Sequence, residues 1–164
     1  MTDIFIKSFN RPFYLDRCIA SVHQYISGDF KIIVLDDGTP EKYLDKIRKK
    51  YPDTEIRLSE NYEKKIKAID DNLTSKKEIN GHKIPTKFWY DNVEKASEYV
   101  IVTEDDVWVT EPINVDKLQS QAQKLKVNLI KLGWLGNEKD TENLHIQSLS
   151  DNLQSTVPKD LLFL

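Results

Sequence analysis

Tyr99-Val100-Ile101-Val102-Thr103-Glu104-Asp105-Asp106 decides how the rest of the chain is read. A short, uninterrupted, β-branched apolar run suits a strand buried on both faces of a mainly parallel sheet. Three acids follow where that strand runs out. In open α/β sheets the carboxyl edge of the strands is where ligands bind. Adjacent carboxylates repel one another, so a fold that gathers them holds a cation or keeps them in water. These eight residues alone leave both readings open, a metal-binding edge or a solvated turn.

The upstream sequence repeats the pattern. Asp3 to Phe9 reads as a first strand centred on Ile4-Phe5-Ile6. Asn10-Arg11-Pro12 turns it into a helix, with Asn10 as cap and Pro12 in the first turn, where its missing N–H has no partner to lose. Leu15, Cys18, Ile19, Val22 and Ile26 recur at spacings of three and four, and Gly28 ends that helix. Lys31 to Leu35 is a second apolar strand, and it too ends in acids, Asp36-Asp37, then Gly38. Thr39 and Pro40 open the next helix, with Leu44, Ile47 and Tyr51 inward and Lys46, Arg48, Lys49 and Lys50 in water. Glu55 to Leu58 is a third strand. The order βαβαβ predicts a parallel sheet with right-handed crossovers and helices on its faces. Two strands then deliver acid clusters to the same edge.

Beyond Glu60 the signal weakens. Lys64, Lys65, Lys67, Lys76 and Lys77 mix with acids, Ile66, Ile69 and Leu73 line a short helix, and Asn80-Gly81 marks a turn. A lysine-bearing loop there can meet a diphosphate or simply be solvated. Thr86 caps a helix reaching about Ser97, with Phe88, Trp89, Val93 and Ala96 apolar. After the acids, Val115, Leu118, Ala122 and Leu125 predict another helix, Asn128 to Trp134 a strand, and Leu144 to Leu149 a further one. The apolar Leu161-Leu162-Phe163-Leu164 stops without a turn or polar tail, which reads as a chain cut from something longer or naturally shortened.

At 164 residues the chain suits one domain, residues 1–164, with room for a real core. A net charge of −3 argues against nucleic acid, which selects basic stripes. The single cysteine excludes an internal disulfide, and Cys18 falls on an apolar helix face, where core packing is expected over a reactive thiol. Met1 to Phe5 lacks the basic flank and long apolar core of a signal peptide. No run approaches the ~20 apolar residues of a membrane span. A cytoplasmic protein is expected.

A sheet edge with two acid clusters suits a particular ligand chemistry. Magnesium takes one or two carboxylates from protein and leaves its other positions to phosphates and waters. Asp106 with Glu104 as its partner fits that role, and the ion would offset charge building on a departing diphosphate. Asp36 and Asp37 can accept a hydrogen bond from a base N–H or a ribose hydroxyl. Lys7 and Arg11, near the end of the first strand, can face the nucleotide. Together these parts describe a metal-dependent nucleotide-diphosphate site.

Phe9-Asn10-Arg11-Pro12 after the first strand, Val34-Leu35-Asp36-Asp37-Gly38-Thr39 after the second and Thr103-Glu104-Asp105-Asp106 after a later one resemble the family 2 glycosyltransferases. The resemblance covers about residues 3 to 115. It implies an α/β fold of the GT-A type and a nucleotide-diphospho-sugar donor, most often UDP-linked. It places Phe9 by the base, Asp37 on the uracil with Asp36 beside it, Asp105 toward the ribose or sugar, and Asp106 on Mn2+ or Mg2+. It implies inverting transfer in a single displacement, with a carboxylate base drawing the proton from an acceptor hydroxyl. A glycan or lipid-linked acceptor, polysaccharide biosynthesis and peripheral association with the inner face of a membrane follow by the same analogy.

The chain departs from the family in three ways. Glu104 stands where Asp is frequent. Asn61-Tyr62 is at most a remnant of the family's Ala-Arg-Asn pattern, with Lys64, Lys65 or Lys67 in place of the arginine. Family members usually run longer, and their acceptor site and base lie in the later half. Asp140, Asp151 and Asp160 are acids without a motif, so no base is named. The alternative from another class is a binding module of the same fold that holds nucleotide-sugar, or packs on a partner, without chemistry. A receiver-type phosphotransfer reading of Leu35-Asp36-Asp37 is disfavoured, because that pair normally ends the first strand and an acceptor Asp follows roughly 45 residues on. His23, His82 and His145 are scattered without metal spacing and read as structural or solvent-facing. Trp89 reads as core. Trp108 and Trp134 near strand ends can stack on sugar, though core packing is expected.

Overall fold

A computed structural model of the chain describes residues 1–75 and 84–126, and the backbone of residues 144–150 and 153–158. It forms two compact units, Met1–Gln119 and Ser120–Leu164.

The first unit is built on a four-stranded parallel sheet. β1 (Thr2–Ser8), β3 (Phe30–Asp36), β4 (Glu55–Leu58) and β5 (Val100–Glu104) lie in the order β4-β3-β1-β5. β1 is central, with Ile4 opposite Ile32 on one side and Ile101 on the other. Side chains alternate across a strand, so a run buried on both faces has to be apolar throughout. Ile4, Ile6, Ile32 and Val34 pack on one face beneath α1 (Pro12–Tyr25) and α2 (Glu41–Lys50), through Leu15, Cys18, Ile19, Val22, Leu44 and Ile47. Phe5, Ile33 and Leu35 face the other way, against Phe88, Trp89 and Val93 of α4 (Thr86–Glu94). Leu15 is fully enclosed, and truncating such a side chain to Ala costs about 2–5 kcal/mol.

Two elements escaped the sequence reading because each is two residues long. β2 (Ile26–Ser27) pairs in parallel with β6 (Ile113–Asn114) as a separate ribbon. α1 therefore ends at Tyr25, before Gly28. Gly28 instead serves a close approach: its φ is +106°, and a Cβ there would lie 2.7 Å from Asp116 Oδ2. α3 (Tyr62–Ser75) turns Tyr62 and Lys65 inward, while Leu73, expected to line it, is exposed. α5 (Val115–Leu125) begins with buried Val115. In the second unit β7 (Leu144–Ser150) and β8 (Leu153–Pro158) form an antiparallel pair with an irregularity between Ser148 and Ser150. The backbone of His145 lies in β7, within the strand expected at Leu144 to Leu149. The expected strand at Asn128 to Trp134, the Asn80-Gly81 turn, Lys76, Lys77, His82, Trp134, Asp140, Asp151, Asp160 and the apolar C-terminus lie outside the described residues.

The expected caps are also corrected. Arg11, Pro40 and Pro85 occupy the N-cap positions of α1, α2 and α4, and none makes a side-chain cap bond. Thr39 turns its hydroxyl to the Asn10 backbone instead. Asn10 adopts φ +49°, and its N–H donates to Thr39 Oγ1 at 3.1 Å, which ties the β1–α1 loop to the β3–α2 loop. Thr86 is simply the first residue of α4.

Candidate functional site

The carboxyl ends of β1, β3, β4 and β5 meet at one edge, and the backbone ladder carries on past the strands. Asp37 N–H donates to Ser8 O, Asp105 N–H to Lys7 O and Ser59 N–H to Asp36 O, each at 3.0 Å. These bonds fix where the acid clusters leave the sheet.

At the β3 end, Asp36 is fully buried and shapes the loop. Its Oδ1 accepts from the N–H groups of Gly38 (3.0 Å) and Thr39 (2.8 Å), and its Oδ2 has no hydrogen-bond partner among the described residues. Asp37 beside it is held on both oxygens. Ser59 Oγ donates to Oδ1, and Lys65 Nζ pairs with Oδ2 with both side chains almost wholly enclosed, at 7% and 3% exposure. Phe9 closes the pocket. Lys65 Nζ sits 5.4 Å from its ring centroid, and a Cβ at Gly38 would come within 2.8 Å of its Cε2. Glycine is therefore required at position 38 for the ring to lie there. Tyr62 OH donates to Thr39 O at 2.7 Å and braces the loop from α3.

At the β5 end, Asp105 is fully buried and Asp106 is 38% exposed. Arg11 clamps both: Nη2 lies 2.5 Å from Asp105 Oδ1 and Nη1 donates to Asp106 Oδ2 at 2.6 Å. Phe9 N–H donates to Asp105 Oδ2 at 3.4 Å. Burial pushes the Asp105 carboxyl above its ordinary pKa, and the nearby Ser8 hydroxyl and the Arg11 guanidinium oppose this without cancelling it. Burial works against the charge of Arg11 as well, but the Asp105 and Asp106 carboxylates outweigh it and raise its pKa. Lys7 Nζ donates to Glu104 Oε1 at 2.7 Å and lies 4.7 Å from the centroid of the Trp89 ring. Glu104 and Asp106 are thus engaged by different cations.

The edge brings together Lys7, Phe9, Arg11, Asp36, Asp37, Glu104, Asp105 and Asp106. Among the described residues no group of three or more His, Cys, Asp or Glu side chains is arranged to hold a metal ion. The donor set still fits a hard cation of the magnesium kind, because Asp106 offers an accessible carboxylate and such an ion needs only one or two from protein.

Ser59 and the inward role of Lys65 were missed. Ser59 immediately follows β4, so the same edge rule that flagged the acids marks it. Lys65 was one of three lysines read in place of the family's arginine, and nothing in the lysine-rich stretch marked it as the one turned inward. Trp108 corrects the expectation of core packing, since it is 40% exposed and stacks on Tyr14 with centroids 6.2 Å apart. Cys18 is core as expected, and burial, with Asp105 and Asp106 adding to it, pushes its thiol up to about 12. His23 stacks on Tyr51 and lies 3.7 Å from Asp53.

A parallel sheet with helices on both faces and acid-bearing loops at its carboxyl edge defines an open α/β protein, whose ligands as a class bind at that edge. Comparison with known proteins narrows the class. Residues 3–73 match the model of glycosyl transferase family 2, which shows the resemblance over that segment. A crystal structure of S. aureus TarS 1-349 superposes with a TM-score of 0.52 at 16% identity, covering 82% of this chain and 39% of that one. A second structure of S. aureus TarS gives 0.54 at 14% identity, covering 81% and 23%. The fold is thus α/β of the GT-A type, and the chain spans well under half the length of these neighbours. No curated protein matches the sequence. Among the described residues no helix is long and apolar enough to cross a membrane.

Proposed function

We propose that the Met1–Gln119 unit binds a nucleotide-diphospho-sugar, UDP-linked, and presents it for inverting transfer to an acceptor hydroxyl on a glycan or lipid-linked acceptor. The observation that carries this reading is the convergence of Phe9, Asp37, Asp105 and Asp106 on one sheet edge, in the segment that matches the family. Phe9 stacks on the base and Asp37 accepts its N–H on a lone pair left beside the Ser59 and Lys65 bonds, with Asp36 shaping the loop that holds them. Asp105 faces the ribose or sugar. Lys7 and Arg11 supply positive charge toward the diphosphate. Asp106, with Glu104 nearby, would hold Mn2+ or Mg2+, which when bound neutralises the leaving diphosphate. The Arg11 contact to Asp106 is partly exposed and can open at small cost. We place the protein on the cytoplasmic side of the membrane that carries the acceptor, in polysaccharide synthesis.

A second reading has its own observation. Asp37, Asp105, Asp106 and Glu104 each meet a cation of the chain itself, which is how a non-catalytic module of the same fold would keep its acids stable. Thermal unfolding with UDP, with and without manganese, separates the two. Saturation at 100 times Kd adds about 2.7 kcal/mol, a shift of roughly 5–10 °C for a chain of this size. A manganese-dependent shift that is lost in Asp106→Asn supports the donor site. No shift with UDP or UDP-sugars puts the interaction module first.

A further inference from the structure

We propose that Phe13, Tyr14 and Trp108, gathered around Arg17, form a saccharide-stacking platform for the acceptor of the transfer proposed above, on which this inference rests. The three rings are 64%, 43% and 40% exposed, an unusual density of apolar aromatic surface on a soluble face. They are ordered against one another. Tyr14 lies over Trp108 with an interplanar angle of 21°, and Phe13 meets Tyr14 edge-on at 5.8 Å. The Arg17 guanidinium lies 5.1 Å from the Trp108 centroid and 5.6 Å from that of Phe13. A sugar ring has an apolar C–H face and a hydroxyl edge. Flat rings suit the first and a guanidinium edge the second, so this set matches a saccharide better than a purely apolar partner.

Position supports the acceptor rather than the donor. Tyr14 lies one helical turn after Arg11, and Trp108 follows Asp106 by two residues, so the platform adjoins the Arg11–Asp106 pair. The base pocket of Phe9 and Asp37 lies at β3, and the acids lie two strands away at the end of β5. Two strand spacings are roughly 10 Å, about the reach of a diphosphate with its sugar. Trp108 belongs to the β5 end of that span. On the far side of Phe13 the surface continues into a groove between α1 and α2 that includes Tyr43, which suits a chain of sugars rather than one.

The test uses the full chain, wild type and the Trp108→Ala and Tyr14→Ala variants. Saturation-transfer NMR is run with methyl glycosides of glucose, galactose, mannose, N-acetylglucosamine and glucuronic acid, beside the UDP–manganese thermal shift. Transfer to the ring protons of at least one glycoside, reduced fivefold or more in both variants with the UDP shift unchanged, is expected. An intact UDP shift with no transfer to any glycoside overturns the platform alone. Glycoside transfer without any UDP shift removes the donor reading, and the acceptor role with it. Concentration-dependent self-association that is lost in Trp108→Ala, read by sedimentation, would make the rings a contact between two copies and overturn the proposal.

Discussion

Replacing Lys65 with Met tests whether the loop at the end of β3 is held by a buried ion pair. Lys65 and Asp37 are both almost fully enclosed, and among the described residues Asp37 keeps the Ser59 hydroxyl once the ammonium is gone. Removing one member of a buried pair costs about 3–5 kcal/mol, because the remaining charge is stranded in a poor dielectric. The surviving Ser59 bond puts the expectation at the lower end, about 3 kcal/mol. At 2–4 °C per kcal/mol for this length, the melting temperature should fall by roughly 6–12 °C. Arg48→Met is the control. Arg48 pairs with Glu41 and Asp45 at the surface, and an exposed pair contributes about 0.2–1 kcal/mol at most. Urea titration followed by circular dichroism gives both values. The double variant Lys65→Met/Asp37→Asn removes the stranded charge and should recover about 2 kcal/mol of the loss as coupling energy. A Lys65→Met cost no larger than that of Arg48→Met, or additive effects in the double variant, would refute the argument that this pair is buried and coupled.

Asp105→Asn tests the upward shift of the Asp105 carboxyl. A folded pKa above the unfolded one means that the folded state holds more protons between the two values, so wild-type stability falls as pH rises through that window. The stability difference in favour of Asn should therefore be absent below about pH 4, the ordinary aspartate value, and grow to a plateau above the folded pKa. Urea midpoints measured from pH 3.5 to 7 read this slope, and a difference that shrinks with rising pH would contradict it. Gly38→Ala forces a Cβ into Phe9 at a φ of +154°. It should cost about 1–3 kcal/mol and weaken UDP binding by displacing the ring, both measurable in one calorimetric series.

The sheet was readable because β1, β3 and β5 carry unbroken apolar runs, but only β1 and β3 are covered on both faces: β4 alternates as Glu55-Ile56-Arg57-Leu58, and β5, expected to be buried on both faces, leaves Val102 49% exposed. The acid clusters were readable because they directly follow two of those runs. What the acids do in the folded chain was not readable, because their partners are distant: Arg11 reaches Asp106 across 95 residues, and Lys65 reaches Asp37 across 28. Asn10 and Thr39 have the chemistry of caps, yet the Thr39 hydroxyl accepts from the Asn10 backbone N–H, and no local pattern distinguishes the two uses. Trp108 looked like core by composition. Its exposure depends on Tyr14 and Arg17, more than 90 residues earlier, offering a flat surface on which to lie.

The placement of β1 between β3 and β5 also orders the assembly of the protein. The β1–β3 edge is tied by residues 29 apart, Asn10 and Thr39, whereas the β1–β5 edge joins Lys7 to Glu104 across 97. Closing the longer loop costs about 1 kcal/mol more in chain entropy, and non-local parallel pairing is intrinsically slow. The expected nucleus is therefore the contiguous segment from β1 to β4, with β5 docking afterwards. On that path the Asp36–Asp37 loop at the end of β3 forms early, whereas the Arg11 clamp on Asp105 and Asp106 appears only when the final strand closes. A nascent chain would acquire its apolar core well before its acid-bearing edge was complete.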